Sequence, residues 1–134
     1  MKKDQNEPRL VAQHTDSRGT LSVIEGRADV PFAIKRVFFI TNVPAGTQRG
    51  RHAYRHQEFL VCLQGKCTIT IDDGSVQTRR TLDRPDAGLL IPANTWRTLD
   101  GFSPDCILAV LSDAHYSPAD YCFDYVRFKT QLEF

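Results

Sequence analysis

Gly46-Thr47-Gln48-Arg49-Gly50-Arg51-His52-Ala53-Tyr54-Arg55-His56-Gln57-Glu58-Phe59-Leu60-Val61-Cys62-Leu63-Gln64-Gly65 runs a row of polar side chains straight into a row of apolar ones. Read as a strand, in which successive side chains point to opposite faces, it puts His52, Tyr54, His56 and Glu58 on one wall. The apolar run Phe59 to Leu63 that follows is the pattern of a buried strand. A polar wall leading into an apolar strand predicts a pocket set into a β core.

The spacing of Gly46, His52, Tyr54, Glu58 and Gly65 resembles the first motif of the cupins, with Tyr54 where that motif has its second histidine. The second cupin motif, a proline, a glycine two on and a histidine three further, has Pro92, Asn94 and Arg97 at those places. Asn94 suits the glycine position because both residues tolerate the left-handed backbone of a tight turn. Arg97 cannot act as the histidine does, since a guanidinium carries donors only and has no lone pair for a metal. With Tyr54 and Arg97 at two ligand positions, the site is expected to work without a metal or other cofactor.

The chain has 134 residues, 41% hydrophobic and 25% charged, and a net charge of +1, the profile of one soluble domain over residues 1–134 with length for a real core. No long basic run recommends nucleic acid or a membrane surface as a partner. Lys2-Lys3 leads into polar residues, so neither a signal peptide nor a transmembrane helix is expected, and a cytoplasmic location is. Cys62, Cys67, Cys106 and Cys122 show no CxxC spacing and read as reduced, buried thiols. Their odd separation would put Cys62 and Cys67 on opposite faces of an unbroken strand.

Along the chain, residues 1–9 are polar and expected to fray. Asp16-Ser17-Arg18-Gly19 reads as a turn before a strand over 20–25, and Pro31 opens a strand over 32–40 rich in β-branched and aromatic residues. Alternation over 65–71 leads to the hairpin turn Asp72-Asp73-Gly74-Ser75 and a returning strand over 76–82 with its arginines outward. Residues 87–92 and 106–111 read as buried strands, with a turn at 92–96 after the first. Ser117 before Pro118, with Asp120 in the first turn, predicts a helix through about Phe128. Many short strands and one late helix make the predicted class all-β, a cupin jelly-roll barrel with a short C-terminal helix.

A closer resemblance runs from about residue 16 to 128. Asp16-Ser17-Arg18-Gly19-Thr20-Leu21, Ile34-Lys35-Arg36-Val37-Phe38-Phe39-Ile40, Arg49-Gly50-Arg51-His52-Ala53, Asp72-Asp73-Gly74, Trp96, Phe102-Ser103-Pro104-Asp105 and Asp120 to Phe128 are similar, in the same order, to the sugar 3,4-ketoisomerases that act on dTDP-4-keto-6-deoxyglucose. The resemblance implies a metal-free jelly-roll homodimer with exchanged N-terminal strands. It also implies a dTDP-linked 4-keto-6-deoxy sugar as ligand, movement of the keto group from C4 to C3, and a place in deoxysugar biosynthesis. The family's catalytic histidine maps to His52 and its partner histidine to Tyr54; Phe39 and Arg97 stand near where members often have tyrosine and histidine. Arg18 and Arg36 lie in matching stretches and are taken with them as substrate-binding.

Such an isomerisation removes the proton at C3, passes through an enediol and returns a proton at C4. Histidine has the near-neutral pKa a base needs, and His52 is taken as that base, against the reading of a merely hydrogen-bonded wall histidine. Tyr54, with a reference pKa of about 10, is a poor base but a competent donor to an oxygen, and suits stacking on sugar or base equally. Glu58 is costly to bury ionised and alone, so it is expected to orient His52 or pair with an arginine. Arg97 suits an enediolate oxygen or a diphosphate. Arg49 and Arg51 fall on the face opposite His52 if the strand has begun, one of them reaching a diphosphate at the barrel mouth. Trp96 and Phe102 suit core and ligand platform alike, and His14 and His115 read as surface. Two other classes stay open: a metal-dependent cupin using His52, His56 and Glu58, and a nucleotide-sugar binding module without turnover.

Overall fold

The computed structural model describes residues 6–130. Its strands are β1 (Arg9–Leu10), β2 (Ala12–Asp16), β3 (Gly19–Val23), β4 (Arg36–Ile40), β5 (Arg49–Tyr54), β6 (Glu58–Gln64), β7 (Cys67–Asp72), β8 (Gln77–Leu82), β9 (Ala87–Ile91), β10 (Thr95–Asp100), β11 (Ile107–Ser112) and β12 (Tyr121–Cys122), followed by one helix, α1 (Tyr125–Thr130). One sheet has the order β1-β9-β6-β11-β4 and the other β12-β5-β10-β7-β8, while among the described residues β2 and β3 pair only with each other. From β4 onward each connection crosses to the other sheet, except the β7–β8 hairpin. That is jelly-roll connectivity, and the class is all-β as expected, with the two sheets not closed into a continuous barrel.

The apolar run of β6 is continuous because both faces of its strand are covered. Leu60 and Cys62 face the space between the sheets with Ile69, Ile71, Leu89, Leu108 and Val110. Phe59 and Val61 face outward under Val30, Phe32 and Leu111. A third cluster lies outside the second sheet, where Phe128 of α1 and Tyr125 cover Ala53, Trp96 and Cys122.

Several expectations are corrected by tertiary pairing. Residues 1–5 of the expected fraying segment lie outside the described residues, but Arg9–Leu10 is paired, Arg9 against Gly88 and Leu10 against Ala87. The strand expected over 32–40 begins only at Arg36, because Phe32 and Ile34 are used to cover the outer face of the first sheet. Trp96, read as the end of a turn, lies inside β10. The helix expected from Ser117 is a single 3-10 turn, Pro118–Asp120, after which Tyr121 and Cys122 extend to pair with Tyr54 and Ala53. Helix α1 starts after Asp124, whose carboxylate accepts the Arg127 amide at 3.2 Å, the bond of an N-cap.

Candidate active site

The opening stretch is not one strand. Extended pairing stops at Tyr54, and the Asn94 amide donates to the Tyr54 carbonyl at 2.7 Å and the Arg55 amide to the Asp120 carbonyl at 3.0 Å as the chain leaves the second sheet for the first. His52 and Tyr54 therefore sit on β5 and Glu58 on β6, facing each other across the sandwich, and His56 lies in the connection between. His56 is drawn aside by Asp120 at 3.2 Å and Asp113 at 3.6 Å.

A bulge decides which arginine joins His52. On β10, Arg97 pairs with His52, Thr98 with Gly50 and Leu99 with Arg49, so Arg51 is the extra residue. Gly50 and Arg51 both have positive φ, 77° and 59°. A side chain at Gly50 would bring its Cβ to 2.9 Å from Leu99 Cδ1 and 3.0 Å from the Arg97 carbonyl oxygen, so glycine is required there. The inserted residue reverses the alternation, and Arg49 shares a cavity with His52 instead of facing away from it. Arg51 turns to the opposite face, into a separate concavity of about 320 Å³ with Trp96 and Tyr125.

The His52 cavity has a volume of about 530 Å³, with Arg36, Arg49, His52, Glu58, Tyr116, Tyr121 and Phe123 on its walls. It narrows inward to a space of about 100 Å³ that reaches Arg97. Cross-strand register builds its floor: Ser112 of β11 lies opposite both Glu58 of β6 and Arg36 of β4, so the three side chains stand in one row. From the facing sheet, buried Arg97 reaches Glu58 Oε1 at 2.6 Å and donates to the Thr95 carbonyl at 3.0 Å. Arg36 lies 3.8 Å from the same carboxylate. Burial raises the Glu58 carboxyl above its ordinary value, opposed by the charges of Arg97 and Arg36. With Arg49, three guanidiniums face one carboxylate, and the cavity carries an excess of positive charge suited to an anionic ligand.

His52 is held neutral. Burial, followed by the positive charge of Arg97, lowers its imidazole to about 4. Its ring lies edge-on to Tyr121 and Phe123, at centroid distances of 5.1 and 5.6 Å. His52 Nδ1, Arg97 Nε and Arg36 Nε are buried without a hydrogen-bond partner among the described residues. Unmade bonds of this kind at a cavity are places for a ligand to complete.

Tyr54 is behind the cavity wall. It is fully buried, its hydroxyl bonds Ser112 Oγ at 3.1 Å and accepts from Arg36 at 3.4 Å, and its ring stacks on Tyr121 at 4.8 Å. The phenol at the cavity is Tyr121, whose hydroxyl accepts from Arg36 Nη2 at 3.0 Å. In the sequence Tyr121 stands out only as part of the matching stretch from Asp120 to Phe128. Its alternation with Phe123, which puts both rings on one face of an extended segment, was the signal available.

Two other expected substrate contacts fall elsewhere in this chain. Trp96 is a core residue that packs on Tyr125 and Phe128 at 5.1 and 5.8 Å. Arg18 sits at the tip of the β2–β3 hairpin, its side chain 88% exposed and paired with Asp16 at 2.6 Å. The ligand set of the metal-cupin alternative is not assembled either, since His56 is held by Asp113 and Asp120. Among the described residues, the three side chains of metal-ligating type that gather closely are Cys62, Cys67 and Cys106.

A jelly roll with a cationic cavity, a neutral histidine and two arginines whose Nε groups lack a partner among the described residues defines a protein that binds an anionic small molecule and can move a proton on it. The chain belongs to the FdtA family, described as WxcM-like, C-terminal, whose model matches residues 6–133. It is 40% identical over 118 residues, 87% of this chain and 85% of the relative, to TDP-4-oxo-6-deoxy-alpha-D-glucose-3,4-oxoisomerase of Aneurinibacillus thermoaerophilus. Among solved structures it is similar to QdtA, a sugar 3,4-ketoisomerase from Thermoanaerobacterium thermosaccharolyticum in complex with TDP, with TM-score 0.91 and 31% identity over 96% of this chain and 94% of that one. A histidine-to-asparagine variant of QdtA, solved with TDP-4-keto-6-deoxyglucose, matches with TM-score 0.91 and 30% identity over 98% of this chain and 96% of that one. WlaRA, a TDP-fucose-3,4-ketoisomerase from Campylobacter jejuni, matches with TM-score 0.86 and 33% identity over 91% of each chain.

Proposed function

We propose that the protein is a 3,4-ketoisomerase acting on a dTDP-linked 4-keto-6-deoxy sugar in deoxysugar biosynthesis, with His52 as the base. The observation that carries this reading is a neutral His52 whose Nδ1 is unbonded at a cavity floored by Arg97 and Arg36. A C–H bond beside a ketone breaks only if a base is close and the oxygen that gains charge meets donors. His52 takes the C3 proton, and the C–H electron pair forms the C3–C4 double bond while the C4 oxygen becomes an enediolate. The 3-hydroxyl proton passes to that oxygen, C4 receives a proton from imidazolium, and the C3 oxygen is left as the ketone. The guanidiniums of Arg36 and Arg97 lower the energy of the enediolate, and Tyr121, held by Arg36, is the phenol that exchanges a proton with a substrate oxygen.

At the mouth, Arg49 suits the diphosphate, and the exposed rings of Tyr116 and Phe123 suit the base. Tyr54 positions Tyr121 by stacking. A homodimer is part of the proposal: among the described residues the β2–β3 hairpin has no other strand beside it, and the edge of β4 exposes Val37 at 57% and Phe39 at 69%. A second copy's N-terminal hairpin against that edge gives both a partner.

Incubation with TDP-4-keto-6-deoxyglucose in deuterated water, followed by NMR of the sugar, tests the reaction. A 3-keto product carrying deuterium at C4 is expected, with deuterium at C3 of the 4-keto sugar that returns from the enediol. TDP binding with no deuterium uptake and no 3-keto sugar makes the protein a binding module.

A further inference from the structure

The jelly roll holds a second group of chemistry-bearing side chains that the isomerase site does not use. Cys62 lies four residues beyond Glu58 on β6, about 13 Å along the strand, so the group belongs to a different part of the core. Cys62, Cys67 and Cys106 are free and buried, and their sulfurs all lie within 4.8 Å of one another. We propose that these three cysteines form a thiolate site for a soft divalent cation of the zinc type.

Three separate elements converge to make it. The chain turns between β6 and β7 at Gly65, φ 73°, so Cys62 and Cys67 do not lie on one unbroken strand with opposite faces as expected; they meet inside the turn. A Cβ on Gly65 would stand 2.9 Å from Cys106 Cα, so glycine lets the turn close onto the third cysteine. Cys106 enters just ahead of β11, where the register against β6 slips between Ile107 and Leu108. The Cys62 and Cys106 sulfurs stand 3.7 Å apart. Tetrahedral zinc with Zn–S bonds of about 2.3 Å needs sulfurs about 3.8 Å apart, so this pair is already set and Cys67 closes in by about an ångström at most. The Gln64 carbonyl, 3.1 Å from Cys62 Sγ, puts an oxygen beside the cluster.

Charge and access fit the same class of ion. Three thiolates with a divalent cation leave a net charge of −1, and with a monovalent one −2, so the divalent ion is easier to hold in this apolar surround. Lys66, next to Cys67, is the neighbouring cation, and Asp105, next to Cys106, the opposing anion. The cluster lies one layer beneath the exposed Gln64 and Lys66 of the turn, a short route for an ion. Binding releases the thiol protons, so affinity rises with pH.

The test uses the full-length reduced protein. Zinc is measured by equilibrium dialysis and metal analysis, and cadmium is titrated as a spectroscopic probe through its thiolate charge-transfer absorption. One ion per chain is expected, with the absorption of three thiolates. Cys67→Ser and Cys106→Ser should each weaken binding at least tenfold, while Cys122→Ser and His52→Asn bind as the native chain does. Cys67→Ala serves if a serine variant fails to fold. Absence of a cadmium band at saturating ion, or binding unchanged in the Cys67 and Cys106 variants, overturns the proposal. Because His52→Asn separates metal binding from turnover, loss of one does not mimic loss of the other.

Discussion

His52 is useful as a base only because it is neutral, and its surroundings keep it so. With its imidazole lowered to about 4 from an ordinary 6.5, it is unprotonated throughout the physiological range. The acid limb of kcat/KM, which reports the free enzyme, is therefore expected near pH 4 and not near 6.5. The same shift acts on stability. Between about 4 and 6.5 the unfolded chain binds more protons at this position, so the contribution is complete above 6.5 and is lost as pH falls through 4. An acid limb centred on 6.5 would show that the surroundings of His52 do not lower its imidazole. Tyr121→Phe should lower turnover by roughly tenfold to a hundredfold with nucleotide binding little changed, the usual weight of a positioned proton donor. Equal losses for Tyr121→Phe and Tyr54→Phe in turnover, with the fold of both intact, would argue against assigning the phenol at the cavity to Tyr121. Sequence alternation correctly put Tyr54 on the face of His52, but periodicity specifies a face and not a depth. Tyr121, which reaches the cavity from 67 positions later in the chain, could be placed only by the pairing of Tyr121 with Tyr54.

At the scale of elements, the site depends on the β5 bulge more than on any one side chain. Gly50→Ala forces a side chain into left-handed backbone and against Leu99 and the Arg97 carbonyl. It is expected to destabilise the fold by about 1–3 kcal/mol and to reduce turnover, because removing the bulge turns Arg49 out of the cavity. Chemical denaturation and turnover measured together check this, and an alanine variant with native stability and rate would contradict it. The bulge is why Arg49 faces the same cavity as His52 although the strand has begun: counting by twos assumes one residue per step. The helix signals at Ser117 and Pro118 were genuine local preferences, and they lost to the hydrogen bonds that Tyr121 and Cys122 gain at the edge of β5. By contrast, the apolar strands β6, β9 and β11 were readable because burial on both faces leaves polar residues only at their ends, Glu58, Gln64 and Ser112.

At the scale of the whole molecule, strand number and turn chemistry made the all-β class legible, and the motif spacing pointed to His52 and Glu58. Among the described residues no strand neighbours the β2–β3 hairpin or the β4 edge, beside the cavity wall formed by Val37 and Phe38. Light scattering is expected to report about twice the 15.2 kDa of one chain at micromolar concentration, and Phe39→Asp at the exposed edge to shift it toward monomer. A native monomer at that concentration would remove the hairpin exchange from the account. The central claim, that His52 takes the C3 proton within this cavity, is tested most directly by solvent exchange at C3 in His52→Asn, measured by NMR in deuterated water alongside TDP binding. TDP affinity near that of the native chain, with exchange slower by about a hundredfold or more, is the result predicted for loss of a positioned base. Exchange at the native rate in a variant without the imidazole would contradict it.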